Sequence, residues 1–265
     1  MDLQRRLADA DTPVGTVLVS HGYAEHSGRY STFIDFLVAH GYDVFWYDHA
    51  GHGSSQGRRA CQDVGRLILD HLDQRRIVLA HARTKNIFLF GHSMGGLITA
   101  ASSILDPTDL RGVVLSGPAF QPLPVLPEPL VNALLPTARI FPALPVATMR
   151  TGVLSRNPAV EEEFNNDPMC YTGCVQILTG LTMLAQGKQT LKNASALRVP
   201  TLVLHGSADE LAAPEGSRIF VERARAAHPN GDIHLRLIDG ARHEILNEPE
   251  GPGLMRDILL WLNAH

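Results

Sequence analysis

The sequence predicts an α/β fold in which helices cover both faces of a mostly parallel sheet, with a cap inserted late in the order of strands. Three observations predict it. Short apolar runs alternate with longer amphipathic segments, a glycine-flanked serine lies between one such run and a helical stretch, and a cluster of prolines interrupts the alternation once. The 265 residues suffice for one large α/β domain or two small ones. A composition of 45% hydrophobic and 19% charged residues supplies a substantial core.

The first strands are Thr16 to Ser20 (TVLVS), Val44 to Tyr47 (VFWY) and Ile87 to Phe90 (IFLF), β-rich and almost continuously apolar. That is what burial on both faces of a parallel sheet requires. Helical spacing runs from Tyr30 to Ala39, where Phe33, Phe36 and Leu37 make one apolar stripe ended by Gly41, and again from Val64 to Ala82. Later strands are Val113 to Ser116, Thr201 to Leu204 and His234 to Ile238, with helices at Pro214 to Ala227 and Gly253 to Leu262. Residues 1–116 and 198–265 therefore form the core. Between them, 117–197 opens with Pro118, Pro122, Pro124 and Pro127 interleaved with Leu123, Val125 and Leu126, and shows no strand periodicity. A disordered linker is poor in large apolar residues, so this stretch is expected to be a cap.

The net charge of -4 is spread without long like-charge runs, which gives no basis for a nucleic-acid partner and suits a small neutral or amphiphilic substrate. Met1 to Asp11 mixes Asp2, Arg5, Arg6 and Asp9 among its apolar residues, unlike a secretory signal. No apolar stretch of about 18 residues occurs either. Cys61, Cys170 and Cys174 are an odd set, expected to be free thiols in a reducing, cytoplasmic location. Cys170 and Cys174 alone are half a metal site at most, so no metal is expected.

Gly91-His92-Ser93-Met94-Gly95 fits the G-x-S-x-G elbow, where a serine occupies a sharp strand-to-helix turn. IFLF precedes it and the small, apolar Leu97 to Leu105 follows, the context such a turn needs. A serine hydroxyl is a weak nucleophile, so it requires a base, and the base requires a group that fixes its tautomer. Asp209, just beyond the strand TLVLHG, is the candidate acid, with Glu210 as runner-up; Asp239 precedes Gly240 and reads as a turn residue. Of 13 histidines, His243 stands after the last strand and before the terminal helix and is the candidate base; His205 lies within a strand end, and His228 and His234 flank a surface-like loop. The backbone N–H groups of Met94 and of Tyr23, in the loop His21-Gly22-Tyr23, are the candidate oxyanion donors.

The blocks HGYAEHSGRY (His21 to Tyr30), DHAGHGSSQG (Asp48 to Gly57), GHSMGG (Gly91 to Gly96), NNDP (Asn165 to Pro168), HGSADE (His205 to Glu210) and HEILNEPE (His243 to Glu250) resemble the monoacylglycerol lipase and lysophospholipase group of α/β-hydrolases. The resemblance covers nearly the whole chain. It implies an α/β-hydrolase fold, Ser93 as nucleophile, Asp209 as acid, His243 as base, Tyr23 and Met94 as oxyanion donors, and a cap over an acyl channel. Glu25 and Arg29 match family residues near the polar end of the pocket, as an ion pair or as substrate contacts, and His49 and His52 match loop-shaping positions. Two features depart from the pattern. Tyr23 stands where many relatives have a small residue, which narrows or reshapes the mouth, and the short N-terminus reduces the leading strands ahead of His21-Gly22 to one.

The expected activity is cleavage of a small lipid ester, a monoacylglycerol or lysophospholipid, through an acyl-enzyme and without a cofactor. The cap's apolar residues suit both transient contact with a membrane surface and lining of the channel; the oligomeric state is left open. A general short-chain carboxylesterase is one alternative. An aminopeptidase or amidase is another, in which Glu161, Glu162 and Glu163 would anchor a free amino terminus. A silent binding protein would not need the complete set of reactive groups, and chemistry that requires an aspartate at the elbow is opposed by Ser93.

Overall fold

A computed structural model describes residues 2–265; Met1, which opens both the N-terminal stretch and the 1–116 core segment read above, lies outside the described residues. Along the chain run β1 (Gln4–Arg6), β2 (Gly15–Ser20), α1 (Ser31–Ala39), β3 (Tyr42–Trp46), α2 (Val64–His81), β4 (Ile87–His92), α3 (Met94–Leu105) and β5 (Leu110–Ser116). Then follow α4 (Glu128–Ile140), β6 (Pro145–Ala147), α5 (Pro158–Asn166), β7 (Val175–Gln176) and α6 (Ile177–Lys192). The chain closes with β8 (Thr201–Gly206), α7 (Pro214–Ala227), β9 (Ile233–Ile238) and α8 (Gly251–Ala264).

Seven strands make one sheet in the order β1-β3-β2-β4-β5-β8-β9. All pairings are parallel except that of the short edge strand β1 with β3. Parallel strands need crossover helices, and alternate residues of each strand meet helices on opposite faces. Leu18, Leu89, Leu115 and Val203 pack with Leu67 of α2, Leu97 of α3 and Phe220 of α7. Val17, Val19, Phe88 and Phe90 face the other way, onto Phe33 and Leu37 of α1 and Ile258 and Leu262 of α8. β2, β4 and β8 are buried along their whole length, which is why they read as unbroken apolar runs.

The proline-rich stretch contributes no strand to this sheet among the described residues. It holds α4, α5 and α6 and one small antiparallel ladder, β6 with β7. The absence of strand periodicity in the segment concealed that ladder. Its strands are three and two residues long, too short for an alternating pattern to register. The prolines also conceal α4. Pro127 caps it and Pro129 lies in its first turn, where a missing N–H costs nothing. Val131 and Ala138 of α4 pack on Ile177, Leu181 and Leu184 of α6. Two strands, β1 and β2, precede His21-Gly22, which corrects the expectation of one; β1 escapes an apolar pattern because all three of its residues are exposed.

Candidate active site

The carboxyl ends of β2, β4, β5, β8 and β9 converge on one edge of the sheet, where open parallel sheets bind ligands. Ser93 joins β4 directly to α3 with φ 53° and ψ -119°, a region costing a residue with a Cβ about 1–3 kcal/mol. Its N–H donates to the Ser116 carbonyl at 2.9 Å, and its own carbonyl accepts from Leu97 and Ala119 at 3.0 and 2.9 Å. The strained turn is thus fixed from β5 and from α3. Gly95 is required here for space, since a Cβ on it would lie 2.3 Å from the Ser20 carbonyl oxygen.

Three elements far apart in sequence bring their side chains to this point. His243, in the loop after β9, has Nε2 2.8 Å from Ser93 Oγ and Nδ1 2.6 Å from Asp209 Oδ2. Asp209, three residues beyond β8, also accepts at Oδ1 from the N–H groups of Leu211 and Ala212 at 2.8 and 3.0 Å. A carboxylate only accepts, so Nδ1 carries the imidazole proton and Nε2 is left to accept from Ser93. Asp209 is buried at 6% exposure and His243 at 4%. Burial alone would lift the Asp209 carboxyl, but His243 and His205 outweigh it and hold Asp209 far below the usual carboxylate range. For His243, burial opposes the charged form, and the Asp209 carboxylate more than offsets it, so the net shift is upward. The arrangement can move a proton from Ser93 to His243 and stabilise the resulting imidazolium.

The loop after β2 passes close beside Ser93. A Cβ on Gly22 would lie 3.1 Å from Ser93 Cβ and 2.8 Å from Glu25 Oε1, so only glycine lets the loop approach this far. Among the described residues neither the Tyr23 N–H nor the Met94 N–H has a protein acceptor. Both are therefore free to bind an incoming oxygen, and Met94 adds the positive end of α3. The Tyr23 side chain leads away, its hydroxyl donating to the Ala60 carbonyl at 3.2 Å.

Glu25 and Arg29 hold this loop in place. Glu25 Oε1 accepts from the Gly22 N–H at 2.5 Å and the Tyr30 hydroxyl at 2.7 Å. Arg29 Nη1 donates to Glu25 Oε2 at 2.8 Å and to Glu244 Oε1 at 2.7 Å, and Nη2 to Glu244 Oε2 at 2.9 Å. The guanidinium lies 5.1 Å from the centre of the Phe164 ring. Burial pushes Glu25 up but Arg29 dominates, and Glu25 falls to about 2. Glu25, Arg29, Tyr30 and Glu244 line, with His92 and Ser116, a cavity of about 510 Å³ whose walls include none of Ser93, His243 and Asp209. His92 Nδ1 lies 3.1 Å from Ser116 Oγ, and its ring lies 4.8 Å from that of His243. Burial, then the neighbouring His243, push His92 down to about 4.

Arg29→Met should leave Glu25 and Glu244 buried without a counter-charge, a loss of about 3–5 kcal/mol or roughly 10 °C in Tm. In the wild type the depressed Glu25 adds stability above the ordinary glutamate pKa that is lost as pH falls toward about 2. The variant's deficit should be largest at neutral pH and shrink on acidification, as the stranded carboxylates take up protons. Thermal unfolding at several pH values checks this.

The other candidates lie elsewhere. Glu210 is exposed and paired with Arg150. Asp239 sits in the turn before Gly240, which has φ +66°. His49 N–H donates to His21 Nε2 at 2.9 Å, and His52 is buried beside the same ring. Glu161 and Glu162 line a separate surface groove with Arg156 and Arg242. His26, Asp167 and Cys170 bring three potential ligand atoms within 4.8 Å of one another. However, His26 Nδ1 accepts from the Gly28 N–H at 3.2 Å while Nε2 faces Asp167 Oδ2 at 2.8 Å. This ring keeps its proton on Nε2 and offers no lone pair there to a metal. Reading the sequence missed Glu244, adjacent to His243, and His205, four residues before Asp209; both reveal themselves only through contacts in space.

A mostly parallel sheet with a strained serine at the end of its central strand defines an α/β-hydrolase, and the chain is one. It belongs to the Hydrolase_4 family (serine aminopeptidase, S33), whose model matches residues 11–250. It is 33% identical to the monoacylglycerol lipase of Mycolicibacterium smegmatis over 96% of this chain and 89% of that one. It is 31% identical to the monoglyceride lipase of Rattus norvegicus over 95% of this chain and 83% of that one. The crystal structure of the Paleococcus ferrophilus monoacylglycerol lipase matches it with a TM-score of 0.86 and 32% identity, covering 100% of both chains.

Proposed function

We propose that the chain hydrolyses lipid carboxylic esters, monoacylglycerols or lysophospholipids, with Ser93 as nucleophile, His243 as general base and acid, and Asp209 as the acid partner. The carrying observation is the hydrogen-bonded series Ser93–His243–Asp209 beside two unpaired backbone N–H groups. Ser93 Oγ attacks the ester carbonyl as its proton passes to His243 Nε2. The carbonyl oxygen becomes an oxyanion held by the Tyr23 and Met94 N–H groups. His243 returns the proton to the alcohol oxygen as the C–O bond breaks, leaving an acyl group on Ser93. Water, deprotonated by the same His243, then releases the fatty acid. No cofactor enters this sequence. Glu25 and Arg29 keep the Tyr23 loop in register.

Residues 117–197 serve as a cap over the acyl chain. Ile140 and Phe141 at the end of α4 are 70% and 58% exposed, and Val125, Leu130, Leu144 and Val146 are exposed nearby. An apolar patch of this kind suits transient docking on a lipid surface. Among the described residues no helix is long and apolar enough to cross a membrane. The free cysteines support a cytoplasmic setting for this peripheral role.

Profiling a series of monoacylglycerols against short p-nitrophenyl esters tests the reading. Each buried methylene contributes about 0.8 kcal/mol, so two more carbons should raise kcat/KM roughly tenfold until the channel is filled. A flat profile over chain length contradicts the lipid assignment and favours the short-chain esterase. Presenting the same substrates in vesicles to Ile140→Ser/Phe141→Ser should lower turnover there while soluble esters are unaffected; equal loss on both denies the docking role. The family description also admits an aminopeptidase, which the panel addresses through aminoacyl amides. The Arg156 and Arg242 side chains beside Glu161 and Glu162 oppose a cationic amino terminus in that groove.

A further inference from the structure

A second imidazole stands beside Asp209. His205, in β8, is fully buried. Its Nε2 lies 3.1 Å from Asp209 Oδ2 and 3.0 Å from the Ala212 carbonyl oxygen. Both neighbours accept only, so Nε2 bears a proton. On the far side of the ring, Nδ1 lies 2.8 Å from the hydroxyl of Ser217 on α7, which donates to it in that tautomer. Asp209 thus receives three hydrogen bonds, from the Leu211 and Ala212 N–H groups on Oδ1 and from the His243 ring on Oδ2, while the polar Nε2–H of His205, bonded to the Ala212 carbonyl, stands 3.1 Å from the same Oδ2.

The division between the two oxygens determines what His205 can do. The two backbone amides on Oδ1 already fix the carboxylate's orientation. His205 acts on Oδ2, the atom that holds the Nδ1 proton of His243. An oxygen shared between two donors holds each less strongly than an oxygen with one. A general base that must later return its proton to the leaving alcohol works best when neither proton is held too tightly.

We propose that His205 is a positioning residue for this reaction: anchored by Ser217 and the Ala212 carbonyl, its Nε2–H lies against Asp209 Oδ2 and limits how firmly Asp209 stabilises the imidazolium of His243. The proposal rests on the triad reading above. Other titratable or charged groups facing His243 are Glu25, Glu244 and His92, with Arg29 paired to both carboxylates. These remain in place when His205 is changed and so act equally in every variant.

The test is the pH dependence of kcat/KM for a soluble ester, from about pH 5 to 9, measured on wild type, His205→Leu, His205→Gln and His205→Asn. His205→Leu should move the acid limb upward by about half a unit or more, with KM within about twofold of wild type. His205→Gln, whose amide reaches as far as Nε2, should restore the wild-type limb. His205→Asn, too short to reach, should shift like the leucine variant and decides the matter if that one does not fold. A limb that coincides with wild type or moves downward in a folded variant overturns the proposal. So does a glutamine variant that behaves like leucine. Labelling by a fluorophosphonate separates the two levels: an unchanged limb in a protein that labels normally at Ser93 refutes the role of His205 alone, whereas wild type that still turns over ester after complete labelling of Ser93 overturns both.

Discussion

Ser93→Ala is expected to lower kcat by about a millionfold while the chain stays folded. Among the described residues, the hydrogen-bond partner of His243 Nε2 is Ser93 Oγ, at 2.8 Å. The methyl group left behind fills the same elbow, so any loss reports chemistry rather than packing. What activity persists comes from the oxyanion donors and binding alone. A variant that keeps more than a hundredth of wild-type turnover refutes Ser93 as nucleophile. Ser93→Gly adds a second readout. It too should be inactive, but removing Cβ relieves the φ 53° strain, worth about 1–3 kcal/mol against an unfolded-state entropy cost of about 0.4–1 kcal/mol. Its Tm should exceed that of Ser93→Ala. Equal or lower stability would mean the turn holds no strain.

Asp209→Asn should cost about ten-thousandfold in kcat. The reason lies in how the carboxylate is bound. An asparagine would keep its oxygen on the Leu211 and Ala212 N–H groups and turn its NH2 toward His243 Nδ1. His243 would then have to accept at Nδ1 and carry its proton on Nε2, pointing at the hydroxyl it should deprotonate. The pH profile should change as well. In the wild type His243 is raised above its ordinary value and must be neutral to act, so kcat/KM should fall as pH drops through a midpoint above about 6.5. Removing the carboxylate takes away the main cause of that rise, and the residual activity should persist to lower pH. An unshifted acid limb would show that Asp209 does not govern His243.

These residues differ in how far the sequence alone exposed them. Ser93 was legible because its requirements are local: strand, glycine, serine, glycine, helix. Asp209 and His243 could be named from their places after β8 and β9, because the parallel sheet brings every strand's carboxyl end to the same edge. His205 was set aside as the end of a strand. Its significance comes only from lying across a loop from Asp209, a contact that no local pattern encodes. Glu244 is similar, since its neighbour in space, Arg29, is 215 positions away.

The fold shows the same contrast. Buried parallel strands announce themselves as apolar runs, and β2, β4 and β8 were read with ends correct to within two residues. β1 has three exposed residues and is defined only by pairing with β3. In 117–197 the prolines masked α4, whose helix is sustained by packing on α6 rather than by propensity.

Fluorophosphonate labelling followed by peptide mapping tests the central claim most directly. One adduct per chain, located on Ser93 and formed in step with the loss of ester hydrolysis, is the predicted result; hydrolysis that survives complete labelling, or an adduct on another residue, contradicts it.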